Sequence, residues 1–189
     1  MVVQNKSAPW RPEFLAALRV LAKVSDAMAA SGLGRPVLVG GGAVEFYTGS
    51  AVMTGDIDLT SPIQPELEEE MQRFGFIRPT GPGKSLRGWI HPELGLGFEV
   101  VGSSPMGGAG DPTRVRLVRP IGETARFRIL PVEDLIADRM GQFASGSAPE
   151  MRGQAQALMR LYPDLDRDYL EERIREETLG DHGIGDIEG

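Results

Sequence analysis

The sequence predicts an α+β (α/β) fold: a mixed β-sheet flanked by helices and followed by a helical C-terminal part. Three observations lead there. Segments with apolar residues at three- and four-residue spacing alternate with short runs of strand character. Their order is helix, strand, helix, strand, helix, several strands and then helices, as in a sheet with helices packed on it. The 189 residues are 41% hydrophobic and 25% charged, close to the globular average and enough for one domain with its own core. Cysteine is absent, which excludes a disulfide framework and a Cys-based zinc site.

Taken in order, Pro12 suits a first helical turn, and Leu15, Leu18, Ala22, Ser25 and Met28 continue an amphipathic helix that Gly32 stops, giving a helix over 12–31. PVLVG (36–40) reads as a short strand, interrupted by Gly40-Gly41-Gly42 and followed by about two turns of helix in AVEFYTG. TGDIDLT alternates acid with aliphatic, the period of a strand whose faces differ. Pro65 opens a helix carrying Leu67, Met71 and Phe74, ended by Gly75. GPGKS is a loop, LRGWIH and LGLGFEVVG are strands joined at HPEL, and SSPMGGAGDP is a second loop. TRVRLVRP and ARFRILP are further strands. Helices then follow from Pro131 (Leu135, Ile136, Met140, Phe143), from Pro149 (Met151 to Tyr162) and over about 165–177. The boundaries are a main domain over 1–145, C-terminal helices over 146–179 and a disordered tail over 180–189.

Charge is unevenly placed. Of 27 acidic and 20 basic residues, 10 acids and only three arginines lie from Asp164 onward, leaving the body balanced at 17 against 17. The net charge of -7 therefore marks a solvated terminal segment and does not exclude a polyphosphate or RNA partner for the body. No run of 18 apolar residues and no apolar leader occur, so the expectation is no membrane and a reducing cytoplasm.

Three features carry chemistry. Gly40-Gly41-Gly42 sits between strand and helix, where bare backbone N–H groups and a helix N-terminus can approach an anion. Asp56 and Asp58 project from one strand face and Ile57 and Leu59 from the other, which sets two carboxylates about 7 Å apart along the strand. Such a pair repels unless cations compensate it, and Mg²⁺ takes a few carboxylates together with substrate phosphates. Glu99 is the only acid of the apolar strand LGLGFEVVG.

Together, a Gly-Gly turn after a strand, 13 intervening residues, an acid-hydrophobic-acid strand and a third acid on a later strand resemble the nucleotidyltransferase superfamily with the DNA polymerase β-like fold. TGDIDL, WIHPELGLGFEV and ILPVEDLIADRM resemble small bacterial members of it, the minimal and abortive-infection nucleotidyltransferases of toxin/antitoxin systems. The resemblance implies a metal-dependent transfer of a nucleoside monophosphate from an NTP to an acceptor hydroxyl. Asp56, Asp58 and Glu99 would be the catalytic and metal-ligating carboxylates for two Mg²⁺ (or Mn²⁺) ions bound with the NTP. Gly41 and Gly42 would hold the triphosphate, with Lys84 and Arg139 as further nucleotide contacts. The acceptor stays open between a small molecule, RNA and protein, and a protein partner or homodimer is a further expectation. Gly42 stands where active members often have Ser, and Val52 where many small relatives have Arg; a non-catalytic nucleotide- or partner-binding member of the fold is thus the alternative.

Other residues have plainer readings. Glu133 and Asp134 fall in a helical first turn, where acids offset the helix dipole. His91 before Pro92 reads as a turn residue. Arg114 and Arg116 share one strand face and Arg126 and Arg128 another, which would form a basic strip if the two faces coincided. A dinucleotide-binding turn is excluded by Glu45, and no P-loop spacing occurs.

Overall fold

The computed structural model describes residues 9–79 and 88–188. Helices α1 (Pro12–Ala30), α2 (Gly40–Thr48), α3 (Gln64–Arg73), α4 (Val132–Ala144), α5 (Met151–Leu161), α6 (Arg167–Glu177) and α7 (Ile184–Glu188) surround six strands. The strands are β1 (Val37–Val39), β2 (Asp56–Thr60), β3 (Trp89–Ile90), β4 (Gly97–Gly102), β5 (Arg116–Val118) and β6 (Phe127–Ile129), in one sheet of order β3-β4-β2-β1-β6-β5. β1 runs antiparallel to β2 and parallel to β6, β2 runs parallel to β4, and the edge strands β3 and β5 are antiparallel to their neighbours. The expected α+β architecture with a mixed sheet is present.

Register explains where the core lies. Leu38 pairs with Leu59 and Ile129, and Ile57 with Phe98, so these side chains share one face and are buried. The opposite face carries Asp56, Asp58 and Thr60 from β2, with Val39 and Glu99 level with Asp58 on either side. α1 packs on β6 and α3, α2 on β1 and β2, and α4 supports α5 and α6. None of the described helices is long and apolar enough to cross a membrane.

Three expectations change. The glycines do not form a turn ahead of a helix; they are the first turn of α2, with Gly40 at φ +58° in a region glycine enters without strain. Residues 184–188 of the expected disordered tail form α7, which buries Ile184 and Ile187. There the Ile184 N–H donates to Glu171 Oε2 (2.7 Å), and Arg152 Nε and Gln156 Nε2 donate to the Asp186 and Ile187 carbonyls (2.6 and 2.8 Å). Two isoleucines spaced for one helical face outweigh the surrounding glycines. The basic strip also fails: Arg116 pairs with Ile129 and Arg128 with Leu117, so Arg116 and Arg128 point to opposite faces of the sheet, while Arg114 and Arg126 lie outside the strands.

Candidate active site

The acidic face of β2 meets the start of α2 because β1 and β2 are adjacent and β1 runs directly into α2. A Cβ on Gly40 would lie 2.3 Å from Asp58 Oδ2, and one on Gly41 would lie 2.6 Å from Thr54 Oγ1. Only glycine admits this approach. Gly42 turns inward, where a Cβ would stand 3.0 Å from Leu38 Cδ1. Gly40 thus faces Asp58, Gly41 faces the Thr54 hydroxyl, and the Cα of Gly42 faces the core.

Asp58 and Glu99 are register partners on parallel neighbours, about 4.8 Å apart at the backbone, with Asp56 two residues along the same face. Asp56 is opposite Gly97, so no side chain on β4 covers it. Its Oδ1 accepts from Thr54 Oγ1 at 3.3 Å. The Asp58 carboxyl is pushed up to about 6, first by burial and then by the charge of Asp56; Glu99 adds to this, while the Gly41 N–H and Arg139 oppose it. A row of like charges so placed gains from a cation. Hard oxygen donors on one face, beside a glycine wall no Cβ could share, fit Mg²⁺ or Mn²⁺ in chemistry. Among the described residues, however, no three His, Asp or Glu side chains are already grouped to hold a metal ion.

The acids stand between two cavities. Asp58, Gly40, Gly41 and Arg139 line one of about 570 Å³ together with Ser103, Ser104 and Met106 and Gly107 of the 3₁₀ turn Pro105–Gly108. Asp56 and Glu99 line another of about 240 Å³ with Trp89 and Phe98.

No family model and no curated protein matches the chain. Among solved structures, it is similar to an antigenic nucleotidyltransferase-like protein from Paracoccidioides brasiliensis, at 13% identity and a TM-score of 0.60, over 93% of this chain and 91% of that one. The chain has a nucleotidyltransferase-like fold.

Within this nucleotidyltransferase-like fold, Arg139 of α4 is 5% exposed, pairs with Asp138 (Nη2 to Oδ2, 2.5 Å) and reaches Met151 Sδ at 3.4 Å. It is therefore both an ion-pair residue and a wall of the larger cavity. Lys84 lies outside the described residues. His91 is structural: its Nε2 lies 3.0 Å from the Phe74 carbonyl, and its Nδ1 accepts from the Glu93 N–H. Glu133 and Asp134 are buried in the first turn of α4, where Asp134 takes Arg173 Nε at 3.1 Å.

Sequence reasoning missed Glu45. It is fully buried and accepts from Arg11 Nε (2.7 Å) and Nη2 (3.1 Å), Ser50 Oγ (2.8 Å) and the Thr54 N–H (2.7 Å). Burial alone would raise its carboxyl, but the Arg11, Thr54 and Ser50 hydrogen bonds hold it below the usual range. Glu45 thereby fixes the 49–55 segment that delivers Asp56. An acid inside an otherwise apolar helix was the available signal.

Proposed function

We propose that this chain is a divalent-metal-dependent nucleotidyltransferase. It would move a nucleoside monophosphate from an NTP to an acceptor hydroxyl. The observation that carries the reading is the juxtaposition of Asp56, Asp58 and Glu99 on one sheet face with the bare glycine start of α2. Asp56, Asp58 and Glu99 would hold the cations, whose chemistry is charge neutralisation at the attacking and departing oxygens. The Gly41 backbone and the start of α2 receive the phosphates, and Arg139, held by Asp138, offers guanidinium N–H donors at the cavity wall. The acceptor oxygen bonds to the α-phosphorus, the bond to the bridging oxygen breaks, pyrophosphate leaves, and the hydroxyl proton passes to Glu99. A toxin/antitoxin or defence setting is the finest part of this proposal and rests on the likeness of TGDIDL, WIHPELGLGFEV and ILPVEDLIADRM alone.

A non-catalytic nucleotide- or partner-binding member of the fold is the second reading, favoured by the lack, among the described residues, of a preformed three-ligand metal set. Incubation with α-³²P-labelled NTPs, Mg²⁺ or Mn²⁺, and small-molecule, RNA and protein acceptors separates the two. The enzyme reading expects label on an acceptor with the wild type and none with Asp56→Asn. It is lost if both fail on every acceptor and NTP binding ignores metal.

A further inference from the structure

A third cavity of about 290 Å³ opens between the 104–115 loop, β6 and the start of α4, walled by Val37, Pro112, Val115 and Leu130. Its charged members are Asp111, Asp134 and Arg128, of which Asp111 is already engaged by the Thr113 N–H (2.8 Å), Thr113 Oγ1 (2.7 Å) and Arg114 (3.8 Å). Asp134 is 1% exposed, and its Oδ1 is taken by Tyr169 Oη (2.8 Å) and Arg173 Nε (3.1 Å). Its Oδ2 has no hydrogen-bond partner among the described residues. Arg173 cannot supply one, because it also serves Glu177 (2.7 Å) and Glu176, so one guanidinium spans three carboxylates. The wall beside Oδ2 is bare backbone: a Cβ on Gly110 would be 3.0 Å from that oxygen. A buried carboxylate oxygen without a donor carries a desolvation penalty that an incoming N–H relieves. Arg128 is half-buried, donates to the Pro112 carbonyl at 3.4 Å and enters no ion pair among the described residues.

We propose that this cavity binds a free apolar α-amino acid, its ammonium on Asp134 Oδ2, its carboxylate on Arg128 and its side chain against Val37, Val115 and Leu130. With Asp111 engaged by Thr113 and Arg114, the opposite charges of Asp134 and Arg128 beside Val37, Val115 and Leu130 match a zwitterion with an apolar body better than an amine, which would face Arg128, or an acid, which would face Asp134. The cavity shares Ser104 and Leu130 with the larger one but holds none of Asp56, Asp58 or Glu99. The inference is thus independent of nucleotidyl transfer.

Calorimetric titration of the full chain with L-valine, L-leucine and L-phenylalanine tests it, with 3-methylbutylamine and 4-methylpentanoate as leucine analogues lacking one charge each. At least one amino acid saturates, and each analogue binds at least about tenfold more weakly than leucine. Asp134→Asn weakens leucine about tenfold and leaves 4-methylpentanoate unchanged, while Arg128→Gln weakens leucine and leaves 3-methylbutylamine unchanged. Should Asp134→Asn fail to fold, Arg128→Gln and the cavity-filling Val115→Trp, which abolishes binding, keep the test decisive. No saturable binding at millimolar amino acid, analogues binding as tightly as leucine, or Arg128→Gln without effect would each overturn the proposal.

Discussion

Replacing Asp58 by Asn tests whether the acidic row is a stability defect kept for a cation. In the fold this carboxyl ionises at about 6, against 3.8 for the free side chain, because it is partly buried and faces Asp56 and Glu99. Ionising it in the native state therefore costs about 3 kcal/mol more than in the unfolded chain. An acid whose folded value is raised contributes its full stability below about pH 4 and loses it as pH rises through about 6. The amide of the replacement keeps an oxygen for the Gly41 N–H and has no charge to repel its neighbours. In EDTA, Asp58→Asn should match the wild type near pH 4 and exceed it by up to about 3 kcal/mol above pH 7, raising Tm by about 6–12 °C. Urea unfolding of both proteins from pH 4 to 8 reads this directly. A variant less stable than the wild type at pH 8, or a difference that does not change with pH, refutes the reasoning.

Further predictions concern the support of the site and the C-terminus. Glu45→Ala removes four hydrogen bonds and leaves the Arg11 guanidinium only its bond to the Thr54 carbonyl (2.6 Å). The loss should be about 3 kcal/mol, the low end for a broken buried pair because the Arg11 side chain keeps 25% exposure, lowering Tm by about 6–12 °C in a thermal melt. Ile187→Ala should cost about 2 kcal/mol in urea unfolding. Amide exchange of residues 184–188 in the wild type should be slower than that of an unstructured tail.

The acidic site was legible because strand alternation alone puts Asp56 and Asp58 on one face and Ile57 on the other. The glycine run signalled close backbone approach in the same way. What sequence could not give was register. Whether Glu99 faced Asp58 depended on the pairing of β2 with β4, and the arginine strip dissolved because β5 and β6 pair Arg116 with Ile129. Glu45 was misjudged because its partners, Arg11 and Thr54, come from separate segments that only the tertiary fold brings together. The tail was read from its glycines, while Ile184 and Ile187 found a surface formed by α5 and α6. Asp134 and Arg128, on two different elements, had no sequence signal at all as walls of one cavity.

Calorimetric titration with a non-transferable NTP analogue, with and without Mn²⁺, tests the central claim most directly. The account predicts affinity at least about tenfold tighter with Mn²⁺ in the wild type, and loss of that gain in Asp56→Asn and Asp58→Asn. Binding that is indifferent to Mn²⁺, or a metal effect that survives in both variants, would contradict it.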